Sequence, residues 1–214
     1  MDVVLDNLPL YWEGIRTTVG LTLLAFVAAF LLGIAVAACR VSPIPPLRAA
    51  GAFYVETVRN TPLTVLFALF FFGLPKVGVI YGPYASAVVV LAAYTAAFVA
   101  ETVRAGVNTV AKGQAEAARS LGLTFPQVLG VIVLPQALRS VIAPLGSLFV
   151  ALTKNTSIAY TISVVEISGA ADRINTATAR PIPVFVGAAL AYLMLTLPSG
   201  VAIGALERRW AFRR

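Results

Sequence analysis

Val19-Gly-Leu-Thr-Leu-Leu-Ala-Phe-Val-Ala-Ala-Phe-Leu-Leu-Gly-Ile-Ala-Val-Ala-Ala-Cys39 contains no charged residue, and Arg40 follows it directly. A helix crossing a ~30 Å hydrocarbon core needs about 20 apolar residues at ~1.5 Å each. This stretch meets that length and reads as a transmembrane helix, ended by Arg40 and the prolines Pro43, Pro45 and Pro46. Four further runs follow the same rule. The second covers roughly 49–74 and is interrupted by Glu56, Arg59 and Asn60; the third covers 84–100 and ends at Glu101 and Arg104. The fourth, about 128–153, carries Pro135, Arg139 and Pro144, and the fifth, 184–206, ends in Glu207-Arg-Arg-Trp-Ala-Phe-Arg-Arg214. Residues 154–183 are mixed, enough for a short helix and a loop but not for a span. The expectation is an all-α polytopic membrane protein of about five transmembrane helices, with residues 1–214 forming one domain.

Composition agrees. Of 214 residues, 59% are hydrophobic and 12% charged, against about 45–50% and about 25% in an average soluble domain. One soluble core could not hide that much apolar surface. Cys39 is the only cysteine and histidine is absent, which removes internal disulfides, thiolate metal clusters, Ser-His and Cys-His dyads and the commonest zinc ligand. No cofactor or metal is expected.

The net charge of +7 would suggest nucleic acid in a soluble protein, but here the basic residues avoid the long apolar runs. Arg40, Arg48, Arg104, Lys112, Arg119, Arg208, Arg209, Arg213 and Arg214 fall on one side of a five-span chain; Arg16, Lys76, Lys154, Arg173 and Arg180 fall on the other. Basic loops mark the cytoplasm, so the expected orientation is N-terminus out and C-terminus in, with no nucleic-acid partner. Met1-Asp-Val-Val-Leu-Asp-Asn lacks a basic n-region, and no cleaved signal is expected.

Residues 104–135 are therefore read as a cytoplasmic loop and its return to the membrane. Within them stands Glu116-Ala117-Ala118, three residues, Gly122, nine residues, then Ile132-Val-Leu-Pro135. Lys112–Leu121 is helix-forming with small Ala115 and Ala118 and then Leu121 on one face, and Gly122 is placed to end the helix. The spacing EAA-x3-G-x9-I-x-L-P resembles the EAA loop of binding-protein-dependent ABC importer permeases. Arg59-Asn60-Thr61-Pro62-Leu63, Tyr94…Glu101…Arg104-Ala105-Gly106, Pro135-Gln136-Ala137 and Lys154-Asn155-Thr156-Ser157 resemble signatures of the polar amino-acid branch, with Ala105 in place of the usual first glycine.

That resemblance implies a type I importer permease core. In the family, Glu116, Ala117, Ala118 and Gly122 would belong to the helix that docks on a cytoplasmic ABC ATPase dimer. Beside the chain would stand a second permease, identical or paralogous, and an extracytoplasmic amino-acid-binding protein. The cargo would be a polar amino acid, glutamate or glutamine best. The chain itself has no G-x-x-x-x-G-K-[ST] loop, so it lacks that device for holding ATP; it is read as a non-enzyme whose partner hydrolyses ATP.

Charges inside spans are costly and tend to face cavities. Glu56 lies three residues before Arg59 and is expected to pair with it on one helix face. Pro62 removes a backbone hydrogen bond, and irregular backbone at membrane depth often lines a substrate path. Glu56, Arg59, Asn60 and Thr61 are accordingly candidates for that path. Lys154, Asn155, Thr156 and Ser157 either join it at the outer gate or cap the next helix through Thr156 or Ser157. Glu56-Thr-Val-Arg59 recurs as Glu101-Thr-Val-Arg104, but the flanks do not match, which argues against duplication. A gradient-driven secondary amino-acid transporter is the alternative; it would depend on Glu56 or Glu101 and shows no inverted repeat. A membrane-embedded hydrolase would lack histidine and any aspartate within a span, and an ABC exporter would not carry the EAA spacing.

Overall fold

The uncharged stretch 19–39 lies inside a longer helix, α1 (Leu8–Val41), which starts with Pro9 in its first turn, where a missing N–H costs little. The computed structural model describes residues 2–210. Arg213 and Arg214, counted in the charge asymmetry, lie outside the described residues, as does the side chain of Arg209. After α1 come α2 (Pro45–Arg59) and α3 (Leu63–Ala68), which continues through a wider π turn and a tighter 3₁₀ turn as far as Val77. α4 (Pro83–Val107) and α5 (Lys112–Ser120) follow. A π segment, Val128–Val133, leads into α6 (Leu134–Ser140) and α7 (Ile142–Asn155). A 3₁₀ stretch, Thr156–Ile162, then α8 (Ile167–Thr178) and α9 (Pro181–Trp210), complete the chain. Among the described residues there is no strand.

Among the described residues three helices, α1, α4 and α9, are long and apolar enough to cross a membrane unaided. The second and fourth runs are not the continuous helices the sequence suggests. α2 and the 63–77 segment meet at 104°, and 125–140 meets 142–162 at 63°. Five spans result if each bent pair is taken as one.

The first bend has a local cause. Pro62 cannot donate to the carbonyl four residues back, so the helix ends; Thr61 N–H takes that Val58 carbonyl at 3.3 Å, and two side chains add bonds to the turn before it. Asn60 Nδ2 donates to Glu56 O at 2.7 Å and Thr61 Oγ1 to Thr57 O at 2.8 Å. At the second bend Val141 leaves helical geometry (φ −110, ψ 10), and Pro144, in the first turn of α7, has no amide to offer Ser140.

α1 and α4 are the central pair. Leu21 and Ala25 of α1 meet Ala87 and Leu91 of α4 and the fully buried Phe67 of α3 in one cluster; a second joins Ala37, Val55, Ala97, Val103 and Val141. In lipid there is little hydrophobic drive between helices, so close packing of small residues must hold them. Gly106 shows the limit: a Cβ there would lie 2.8 Å from Ala137 O and 2.5 Å from Val141 Cγ1. Ala105, one residue earlier, is exposed, which explains why a methyl group is tolerated at that position.

Candidate functional site

α5 projects from the bundle as a short helix anchored on one side. Ala118 is 6% exposed and packs on Val128 and Val133, with Ala115 partly buried beside it. Glu116 and Ala117 face outward. The helix ends at Ser120 rather than Leu121, so Leu121 leaves the Ala115–Ala118 face and stands 82% exposed. Gly122 adopts φ +83. Its N–H donates to Arg119 O at 2.9 Å, and Leu123 N–H donates to Ala118 O at 3.3 Å. Those two bonds form a Schellman cap, whose left-handed residue is easiest for glycine. Thr124 and Gln127 close a capping box at the next turn, so both ends of the 121–124 connection are fixed. The result is a stiff protrusion with an acidic residue, small side chains and one bare leucine on its outer surface.

The expected Glu56–Arg59 pair does not form. Glu56 is exposed and has no ion pair among the described residues. Arg59 turns instead toward Glu101, Nη1 to Oε2 at 3.9 Å, and its guanidinium lies 5.2 Å over the Phe98 ring. Glu101 is the centre of a cluster: Arg40 from the end of α1 bonds Oε2, and Arg104, one turn along α4, reaches both oxygens. Three guanidiniums from α1, α2 and α4 thus share one carboxylate, 26% exposed. A partly buried carboxylate makes stronger contacts than an exposed one, and Glu101, unlike Glu56, lies within reach of arginines from three helices.

The remaining path candidates divide. Asn60 and Arg59 are exposed and Thr61 half-buried at the bend. Thr64, one turn past Thr61, lines a cavity of about 380 Å³ together with Ser157, Tyr160, Thr161, Ser168 and Asp172. Ser157 is therefore brought to the broken helix. Lys154 opens onto a different groove, beside Gly146 and Gly200. Asn155 is half-buried, and Thr156 is fully buried with its hydroxyl donating to Thr153 O at 2.8 Å. Neither Thr156 nor Ser157 is an N-cap, because α7 passes without interruption into the 3₁₀ stretch.

The cap of α8 is Glu166, which the sequence reading did not single out. It is fully buried, and its oxygens accept from Gly169 N at 2.8 Å, Ser168 N at 3.0 Å and the Tyr192 hydroxyl of α9. Burial pushes its carboxyl up, partly offset by the Tyr192 hydroxyl and the two amides. Against it, Glu166 backbone atoms would lie 3.1 Å from a Cβ at Gly14, and Ile167 N donates to Thr18 Oγ1 at 3.3 Å. Glu166 thereby ties α1, α8 and α9 together. The usual N-cap residues are Ser, Thr, Asp and Asn, and a glutamate at this position carries no such signal.

Residues 19–212 match the family described as binding-protein-dependent transport system inner membrane component. The probable glutamine ABC transporter permease protein GlnM of Bacillus subtilis is 39% identical over 98% of this chain and 97% of its own length. The glutamate transport system permease protein GluC of Corynebacterium efficiens is 40% identical over 97% and 95%. Among solved structures, one described as an amino acid ABC transporter with histidines superposes with a TM-score of 0.87 at 33% identity, over 96% of each chain. An inward-facing structure of the MetNI methionine ABC transporter shares the fold, with a TM-score of 0.78 at 19% identity over 96% of this chain and 98% of the other.

Proposed function

The chain belongs to the inner membrane components of binding-protein-dependent transport systems, and from that premise we propose that it is the permease subunit of an ATP-driven importer for a polar amino acid. It forms half of a translocation pore with a second permease, receives its cargo from an extracytoplasmic binding protein, and is driven by a separate cytoplasmic ATPase dimer. The similarity to a glutamine and a glutamate permease over nearly the whole chain supports those two amino acids as cargo. No covalent chemistry falls to this subunit.

The observation that carries the reading is the capped protrusion at 112–124. A lever that transmits force must be stiff and must offer shape to a partner. The Schellman cap at Gly122 and the anchoring of Ala118 supply the stiffness; exposed Glu116, Ala117 and Leu121 supply the outward surface. Ala118 acts from behind, by seating the helix on Val128 and Val133. Residues 104–135 couple this lever directly to α4 and hence to the Glu101 cluster.

The path runs past the bend at Asn60–Pro62, where Arg59, Asn60 and Thr61 sit at the break in the helix, to the hydroxyl-lined cavity at Thr64 and Ser157. Glu56, Lys154, Asn155 and Thr156 border it. The coupling reading is tested by Gly122→Arg: the chain should insert and keep its yield, yet fail to retain the ATPase in a detergent pull-down. Retention at the wild-type level would remove the protrusion from the coupling role.

A further inference from the structure

Behind the lever lies a groove of about 240 Å³ that neither the path nor the outward coupling surface uses. Its apolar walls include Val41 at the end of α1, Val107 at the end of α4, and Phe125, Leu129 and Val133 of the chain returning to the membrane. Its rim is α5, which contributes Lys112, Ala115 and Arg119. These three fall at i, i+3 and i+7, one face of a helix, so the two cations stand ~10.5 Å apart along its axis. Arg119 Nε donates to Ala115 O at 3.3 Å, which turns the guanidinium back toward Lys112. Neither cation makes an ion pair among the described residues, and no acidic or hydroxyl side chain lies on that wall there. Glu116, the acid nearest in sequence, faces outward.

Such a wall selects an amphiphile. A free amino acid would bring its ammonium to two cations, with no carboxylate to receive it. A long apolar chain ending in an anion satisfies both parts of the groove. The groove also sits where α1 and α4 end and the 128–133 segment turns back, so membrane lipid is the apolar chain at hand. We infer that it is a site for an anionic phospholipid, whose phosphate lies between Lys112 and Arg119 and whose acyl segment lies against Val41, Val107 and Leu129. Basic residues beside a membrane attract acidic headgroups, and each methylene covered adds to the affinity. The site goes beyond the permease reading and takes from it only the leaflet, the cytoplasmic one. A lipid held there ties the rear of the lever to the membrane surface, while Glu116, Ala117 and Leu121 stay free on its front.

The test uses the permease–ATPase complex in nanodiscs of equal phosphatidylglycerol and phosphatidylcholine, identical in both leaflets, so the outcome does not depend on orientation. Phe125, 41% exposed at the groove, is replaced by photoreactive benzoylphenylalanine, and the adducts formed on irradiation are identified by mass spectrometry. Phosphatidylglycerol adducts should exceed phosphatidylcholine adducts about fivefold or more, the gain expected from a single basic residue at the surface. The same label at Leu23, exposed midway along α1, should show no such preference. Lys112→Gln with Arg119→Gln should bring the ratio at 125 down to that at 23, whereas Lys112→Arg with Arg119→Lys should keep it. Equal adducts of the two lipids at 125, an unchanged ratio in the glutamine pair, or adducts to the ATPase in place of lipid would each overturn the inference, the last by giving the groove to the ATPase. The permease reading is tested separately, by ATP-dependent uptake in the complete wild-type system; uptake without any lipid preference would strike this site alone.

Discussion

The tetrapeptide Glu-Thr-Val-Arg occurs twice, at 56–59 and at 101–104, and the two copies behave differently. At 101–104 the carboxylate holds its own arginine one turn away and two others from neighbouring helices. At 56–59 the acid faces outward alone, and the arginine leaves it for the other copy's carboxylate. An i, i+3 ion pair on an exposed helix is worth only ~0.2–0.5 kcal/mol, which a better-buried competitor easily outbids. Glu101 lies on the crowded helix α4, within reach of the ends of α1 and α2, so it collects the arginines. Identical local sequence therefore makes a solvated helix end in one place and a three-helix junction in the other.

The sharpest way to break that comparison is to neutralise the two acids in turn. Glu101→Ala strands three guanidiniums around a site 26% exposed. Such a site lies between an exposed pair worth up to ~1 kcal/mol and a buried one whose loss costs about 3–5 kcal/mol, so a loss of about 2 kcal/mol is expected. The expected outcome is a large drop in melting temperature and folded yield, read by fluorescence-detected size exclusion. Glu56→Ala should stay within about 0.5 kcal/mol of wild type. Comparable losses for the two would mean that the carboxylates are equivalent after all.

Next in size is Gly106→Val, which drives a branched side chain into Ala137 and Val141 where even a Cβ is too close. Overpacking of that kind costs roughly 1–3 kcal/mol. Ala105→Val, on the exposed side of the same turn, should be nearly silent in the same thermal assay.

Gly122→Ala comes third: a left-handed residue with a Cβ costs about 1 kcal/mol, confined to the protrusion. Its signature should be weaker stimulation of ATP hydrolysis with an unchanged melting temperature of the bundle.

Arg59→Ala is the smallest. Its side chain is 40% exposed and its contact with Glu101 is 3.9 Å, so stability should fall by less than ~1 kcal/mol. Transport, by contrast, should drop if Arg59 borders the path, and wild-type uptake rates in this variant would return the residue to packing.

Much of the architecture was legible because the bilayer imposes a single length scale. Runs of about 20 apolar residues had to be helices, and Arg40 and Lys112 had to lie near ends. The EAA spacing placed the protrusion to within one residue, since a glycine at a helix end has one dominant use. Pro62 also announced an irregularity, though a proline says that a helix will break and not by what angle.

What escaped was everything decided across helices. Glu101 reads in sequence as a span end beside Arg104; that Arg40 and Arg59 converge on it depends on how α1 and α2 pack against α4. Glu166 lay in a stretch too mixed to parse, and its burial comes from Tyr192, 26 positions away. The 63° bend at Val141 carries only the weak mark of Pro144. Fold class followed from local composition, whereas the polar junctions needed tertiary contacts.

The permease reading is tested most directly in sealed vesicles holding this chain with its ATPase and its binding protein. The account predicts uptake of radiolabelled glutamine or glutamate that requires ATP and the binding protein, persists without any ion gradient, and disappears in Gly122→Arg although the chain remains inserted. Uptake that runs without the ATPase and follows an imposed proton or sodium gradient would contradict it.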